Sequence, residues 1–385
     1  MGGVYMSAKD EKVYRLCHEV ILGKLSIGEL SLLIEKSYRQ SRRIVKKVRE
    51  NGMLGVRHGN FGNRPHNKTS SEIEEDIRLL LKQDYYDFNL THFGEMLIEK
   101  EGINVGKNII HRIAKLHGLV KNARRRASKR IHKPRARLPN EGMLVQFDGS
   151  VHGWFGDVVC DLIGGLDDAT GKILALEFFH GETSLHCMKV MKEITVNYGV
   201  PSMYYLDGAG YFGKVDRDTE TQIGRALEQL GSAVTIASSS QAKGKIERLW
   251  QTLQDRLIAE LRFYQIHTLE EANKFLKEEF IPKFNAQFAV APREKESHFK
   301  QTTHENLDTI FCKKTKRKIG QGNNFSFGAE TYILKTKQNL KHRSININTH
   351  IDGTRSFDVC GRLMDVVKAS DNHITLNTAS TKKAA

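Results

Sequence analysis

The segments LVQFDGSVHGWFG (144–156) and VVCDLIGGLDDATGKILALEFFHG (158–181) read together as three consecutive strands. The first is strand-like from Leu144, and the second breaks at Asp168–Gly171, where D-A-T-G is turn chemistry. SLHCMKVMKEITVNYG (184–199) then has helical spacing, and SMYYLDGAGYF (202–212) is a strand ending at Asp207. A helix near 218–231 and the strand SAVTIAS (232–238) follow. SSQAKGKIERLWQTLQDRLIAELRF (239–263) opens a long helix whose stripe is Ile246, Leu249, Trp250, Leu253, Leu257 and Leu261. Three strands, then helix, strand, helix, strand, helix, predict a mixed α/β sheet covered by helices on both faces. Helical pattern continues over 271–300.

Upstream of this core the periodicity is helical. Residues 11–23, 26–34 (opened by a Ser26/Glu29 capping box) and 39–52 predict three short helices. In the third, Ile44 and Val48 face inward while Arg39, Arg42, Arg43, Lys46, Lys47 and Arg49 stay outside, the pattern of a helix-turn-helix whose last helix enters the major groove. A linker at 55–70 leads to a second such group at 71–120: a helix opened by Thr69 and Glu72, then 90–102 and 105–118. The stretch 121–137 holds nine Lys or Arg and cannot form a core; it reads as an arm tracking phosphates through Arg124, Arg125 and Arg126. Downstream, a basic linker (301–323) containing KKTKRK precedes alternating segments over 324–375 that predict a small antiparallel β-barrel. The expected domains are therefore 1–54, 71–120, 141–300 and 324–375, joined by linkers at 55–70, 121–140 and 301–323.

The charge follows this division. The chain has 385 residues and net charge +15, with +14 over 1–140, −6 over 141–300 and +7 over 301–385. Basic flanks suit a polyanion such as double-stranded DNA. An acidic middle suits hard divalent cations, which take carboxylate oxygens. Five scattered cysteines without a C-x-x-C pair argue against a disulfide framework or a cysteine zinc site. No apolar run reaches the length of a membrane span, and the N-terminus lacks a signal-peptide stretch, so a cytoplasmic, nucleoid-associated protein is expected.

Three carboxylates stand out by context: Asp148 on the first strand, Asp207 at the end of the fourth, and Glu247 in the first turns of the long helix, 59 and 40 positions apart. Strand ends and a helix packed on them can bring such groups to one point. Three convergent carboxylates can hold two divalent ions about 4 Å apart, the arrangement that drives in-line displacement at a phosphodiester. Lys243, Lys245 and Arg248, with Gln241, project from the start of the same helix and are expected to touch DNA. Asp167 and Asp168 read as turn residues, Asp161 as a weak competitor for the cleft, Trp154 and Trp250 as core, and His152 as an ordinary packing or surface residue.

QFDGSVHGWF, LDDATGKI, YLDGAGYF and the Q-A-K-G-K-I-E-R start of the long helix occur in one order that resembles bacterial insertion-sequence transposases with a retroviral-integrase-type catalytic core, most closely those of the ISNCY kind. The resemblance covers about residues 10 to 300. It implies an RNase H-like fold, a DDE triad on Asp148, Asp207 and Glu247, Mg²⁺ as the metal with Mn²⁺ able to substitute, and donor-strand cleavage followed by strand transfer. It further implies binding to terminal inverted repeats and a homodimer or higher homo-oligomer on element and target DNA. Two features depart from the pattern: the 39 residues between Asp207 and Glu247 are more than integrases usually carry, and Gly208 and Ala209 follow Asp207 where relatives often have Lys and His. Two competing readings stand beside it: a sequence-specific DNA-binding regulator with an inactive integrase-like core, and a nuclease of the RNase H class acting on hybrids.

Overall fold

The computed structural model describes residues 7–58, 68–120, 136–156, 158–207, 221–236, 244–302 and 306–369. The chain divides into two compact units, 1–74 and 75–385.

The first unit holds α1 (Ala8–Ile21), α2 (Ile27–Leu33) and α3 (Tyr38–Asn51). The Ser26/Glu29 capping box forms as expected, and Ser37 makes another with Gln40. Cys17, Leu30, Val45 and Val48 form the core. On α3 the buried face is Ser41, Val45 and Val48, with Ile44 only half-buried, so the inward stripe is shifted by one residue from the expected one. After Gly52 the chain turns back in a 3-10 segment over Gly52–Val56. There a Cβ on Gly55 would lie 2.4 Å from the Lys47 backbone, so only glycine permits the close approach.

The second unit starts with most of α4 (Ser71–Gln83), followed by α5 (Leu90–Glu99) and α6 (Lys107–Leu116). At the start of α4, Ser70 Oγ accepts from Ile73 N at 3.2 Å. Gly118, at φ 67°, follows α6 as expected. These helices pack around Ile77, Tyr85, Phe93, Met96 and Ile113, and Ala259 belongs to the same core.

The sheet has strand order β3-β2-β1-β4-β5, comprising β1 (Val145–Phe155), β2 (Val158–Asp167), β3 (Ile173–Phe179), β4 (Met203–Leu206) and β5 (Ala233–Ile236). β1, β2 and β3 are antiparallel neighbours, while β4 lies parallel to β1 and to β5. α7 (Ser184–Tyr198) and α8 (Gln222–Leu230) cover the face bearing Val145, Phe147, Ile163, Tyr204 and Leu206. The other face bears Trp154, Leu162, Leu166 and Phe178. It is covered by α9 (Gly244–Phe263), α10 (Leu269–Phe275) and α11 (Ile281–Phe288). All six stripe residues of α9 are buried. A π-type turn over Leu276–Phe280 joins α10 to α11, and the helix stops at Phe288, short of the expected 300. The result is a mixed α/β core with helices on both faces of the sheet.

The C-terminal segment is not a closed barrel. Its strands are β6 (Lys313–Lys318), β7 (Asn324–Phe327), β8 (Glu330–Leu334), β9 (Ser344–Thr349), β10 (Arg355–Val359), β11 (Arg362–Leu363) and β12 (Val366–Lys368). They form a four-stranded sheet, β11-β10-β9-β6, and a three-stranded sheet, β12-β8-β7, around Phe325, Tyr332, Ile345 and Ile347. KKTKRK is not a linker here. Lys313–Lys318 is β6, an edge strand paired antiparallel with β9 (Ser344–Thr349). A run of charges carries no alternation, so its extended form was hidden until the apolar residues of β9 supplied the partner.

Candidate active site

Two aspartates are placed by the sheet itself. β1 and β4 are parallel neighbours with Gln146 opposite Tyr205. Asp148 lies two residues beyond Gln146, and Asp207 two beyond Tyr205, so the two stand at one level on strands about 4.8 Å apart. Side chains alternate along a strand. Val145 and Phe147 enter the core under α7, which turns Gln146, Asp148 and Ser150 toward α9. Tyr204 and Leu206 join that same core, and alternation carried one residue past β4 puts Asp207 on Asp148's side.

α9 runs along this row in step with it. Ile246 N donates to Gln146 Oε1 at 3.2 Å, Trp250 Nε1 to Asp148 Oδ2 at 3.2 Å, and Gln254 Nε2 to Ser150 Oγ at 3.4 Å. Each advance of two on β1 meets an advance of four on α9. Two strand residues span about 6.7 Å and four helical residues about 6 Å, so the repeats match over three contacts. Glu247 sits in the first turn, three residues before Trp250, on the adjoining flank of the helix. Asp148, Asp207 and Glu247 are each partly exposed. Among the described residues, no three His, Cys, Asp or Glu side chains close into a ready-made metal cage.

Several neighbours behave differently from expectation. Lys245 does not point away as a free cation. Its Nζ is 2.8 Å from Asp168 Oδ1 and donates to the Asp168 carbonyl at 2.9 Å. Asp168 is fully buried and also accepts from Gln146 Nε2 at 2.8 Å and from Leu138 N at 3.1 Å. Asp167 does the turn work instead, taking Thr170 N and Oγ1 at 2.8 and 2.7 Å and Gly142 N at 2.9 Å. Trp250 is core as expected, and it also orients a candidate carboxylate. Asp161 pairs opposite Val151, on the sheet face away from Asp148. Trp154 is core, its indole donating to Ser150 O, and His152 packs against its ring. Arg248 is exposed. Gln241, Lys243 and Arg124–Arg126 lie outside the described residues.

Glu182 was not singled out in the sequence, and it stands on the α7 side of β1, the face away from the Asp148 side chain: a Cβ on Gly149 would lie 2.6 Å from its Oε2. Cys187 Sγ donates to Glu182 Oε1 at 3.5 Å. Burial, and then the charges of Glu182 and Asp207, push the Cys187 thiol well above its ordinary range, which keeps it protonated. The sequence signal is weak: an acid in the HGET turn between β3 and α7 resembles any solvated loop residue.

The far half of α9 is tied to the helices of 75–120. Arg256 makes a two-pronged pair with Glu95 at 2.6 and 3.1 Å, and Arg262 another with Asp87 at 2.8 and 2.7 Å. His92 Nε2 meets Glu260 Oε1 at 2.8 Å in full burial.

No family model matches the chain. The "Putative transposase y4bF" of Sinorhizobium fredii is 30% identical over 365 residues, spanning 92% of this chain and 79% of that protein. The "Transposase for insertion sequence IS1202" of Streptococcus pneumoniae is 31% identical over 364 residues, 84% of this chain and 78% of its own length. The chain belongs to the family of insertion-sequence transposases, which are polynucleotidyl transferases. Among solved structures it aligns with the catalytic core domain of HTLV-2 integrase in complex with magnesium, at 14% identity over 43% of this chain and 98% of that one, with TM-score 0.32. It also aligns with a simian T-cell lymphotropic virus intasome, at 15% identity over 76% and 99%, with TM-score 0.34. No helix among the described residues is long and apolar enough to cross a membrane.

Proposed function

We propose that the chain binds the terminal repeats of its own insertion sequence, cleaves the donor strand and transfers it to target DNA, with Asp148, Asp207 and Glu247 as the catalytic carboxylates. The observation that carries this reading is the pairing of β1 with β4, which levels the two aspartates, with Asp148 held by Trp250 of α9. The donor set fits a hard divalent cation such as Mg²⁺: its groups are carboxylate oxygens, and the nearby Cys187 thiol is buried and protonated. When bound, such ions would activate the attacking oxygen and stabilise the leaving one. Asp148, Asp207 and Glu247 would hold them, and the Trp250 indole fixes the rotamer of Asp148. The protein's own task is to place the phosphodiester between those groups.

DNA recognition is assigned first to α3. Arg39, Arg42, Arg43, Lys46 and Lys47 are all exposed, and only Lys46 has a carboxylate partner among the described residues, an exposed Glu50 at 3.8 Å. The exposed face of α6, with Lys107, Arg112 and Lys115, is a second candidate. A third is β6, whose five cations have no carboxylate partner among the described residues. Arg248 is kept as a contact near the scissile strand, and assembly as a homo-oligomer follows from the need to hold two element ends.

The deciding experiment is strand transfer of labelled element-end duplexes in Mg²⁺, with end binding measured alongside. Asp148→Asn, Asp207→Asn and Glu247→Gln should each bind ends and fail to join them. Full joining by any one removes it from the triad. Specific binding by the unaltered chain with no cleavage or joining would make it a regulator with an inactive core.

A further inference from the structure

We propose that Gln146, Asp168 and Lys245 form a positioning clamp that fixes the first turn of α9, and with it Glu247, against β1 beside Gln146, one contact before the Trp250–Asp148 contact. The inference rests on the assignment of those two carboxylates to the active site.

The clamp is a closed chain of contacts between segments distant in sequence. Gln146, two residues before Asp148 on β1, offers its carbonyl to Ile246 N (3.2 Å) and its amide to Asp168 Oδ1 (2.8 Å). Asp168, at the end of β2, takes Lys245 Nζ on both its carboxylate (2.8 Å) and its backbone carbonyl (2.9 Å). Its other oxygen accepts from Leu138 N at 3.1 Å. Gln146 and Asp168 are fully buried, and Lys245 is about one-fifth exposed.

The first four N–H groups of a helix lack intrahelical partners. Ile246 N is one of these, and an amide from a neighbouring strand satisfies it. The residues on either side of Glu247 in this arrangement are thereby fixed: Ile246 by its backbone, and Trp250, one turn on, by its indole on Asp148. Glu247 has little freedom to slide along the helix axis or to roll about it. Groups that hold the ligands of a metal without touching the metal govern its affinity by about 10–100-fold. Burying a charge is tolerated only with a partner, so Asp168 and Lys245 are committed to each other and Lys245 is unavailable to phosphate.

The test compares two variants with the unaltered chain. Gln146→Met removes the cap on Ile246 while preserving volume. The double variant Asp168→Asn with Lys245→Met removes both charges together, so neither is left buried alone. Mn²⁺ binding in the absence of DNA is followed by loss of the free-ion electron paramagnetic resonance signal, and element-end binding and thermal unfolding are measured in parallel. Both variants should bind ends normally, while Mn²⁺ affinity falls by roughly tenfold or more and strand transfer requires correspondingly more Mg²⁺. Unchanged metal affinity in both variants, whether or not stability drops, overturns the clamp and leaves a purely structural ion pair. If one variant fails to fold, the other decides by the same readout, and Lys245→Arg, which keeps the charge, should restore affinity toward normal. Asp148→Asn and Glu247→Gln in the same assay separate the two claims. If those single changes leave Mn²⁺ binding intact, the carboxylate assignment itself falls; if they abolish it while the clamp variants do not alter it, only the clamp falls.

Discussion

The two halves of α9 are both held by polar side chains, yet they are held for different ends. The first half rests on β1 through Gln146, Asp148 and Ser150, and it carries a partly exposed carboxylate, Glu247. The second half is locked to the helices of 75–120 by Arg256–Glu95, Arg262–Asp87 and the buried His92–Glu260 contact, around a core that includes Ala259. One helix thus carries the proposed catalytic carboxylate at one end and acts as a structural bolt at the other. Substitutions in the first half should be read in catalysis, and those in the second half in stability.

The sharpest break of that comparison is at the catalytic end. Asp148→Asn should lower strand transfer by about 10³-fold, since charge stabilisation by bound ions is worth several kcal/mol. Its urea-unfolding midpoint should stay near that of the unaltered chain. Retained joining together with lost stability would reverse the roles of the two halves.

At the other end, Glu260→Leu leaves His92 Nε2 buried without its Glu260 partner, while His92 Nδ1 has no hydrogen-bond partner among the described residues. A loss of about 1–3 kcal/mol is expected, read as a lower urea midpoint, with the Mg²⁺ requirement for strand transfer unchanged. A shifted Mg²⁺ requirement would show that the bolt is coupled to the site.

The same region gives a pH dependence. Burial acts to raise the Glu95 carboxyl, but the Arg256 guanidinium outweighs it and the net value is lowered. A lowered folded-state pKa adds stability above the unfolded value of about 4.3, and that stability is lost as pH falls through the lower folded value. Glu95→Gln should therefore lose stability near neutrality and show a shallower fall on acidification. Parallel acid profiles for the two proteins would refute the assignment.

A milder contrast concerns cations. Arg42 and Arg43 are exposed on α3, whereas Lys245 is committed to Asp168. Removing both arginines should weaken end binding and reduce the salt slope by about one unit per lost phosphate contact. Lys245→Met together with Asp168→Asn should leave that slope unaltered. The smallest expected effect is on thiols: in the native protein a disulfide-exchange reagent should label Cys360, which is exposed, and spare Cys17, Cys160, Cys187 and Cys312, which are buried. Rapid labelling of Cys187 would mean that the region beside Glu182 opens in solution.

Much of this architecture could be read before the coordinates. The α9 stripe, the Ser26 box, the three-strand opening of the sheet and the turn at Asp168–Gly171 each depend on neighbours within a few positions. What the sequence hid depended on distant partners. Lys245 reads as a DNA contact because a basic residue beside the α9 motif shows its charge but not the aspartate 77 positions away with which it pairs. Gly55 looked like linker because its need for space comes from the α3 backbone. KKTKRK looked like a tether because the residues that make it a strand are those of β9. The C-terminal strands were legible one by one, but whether their ladders close into a ring is a matter of pairing, and they do not.

The sequence by itself determined which helices and strands of the core form and the identity of the three candidate carboxylates, because periodicity and motif are local properties of a chain. Only the tertiary structure decided their arrangement. The parallel register of β1 with β4 levels Asp148 with Asp207, and the near-equal rise of two strand residues and four helical residues lets α9 follow β1, with Ile246 on Gln146 and Trp250 on Asp148. Register and buried charge pairing are set by which segments exclude water together, and that is known only once the chain has folded.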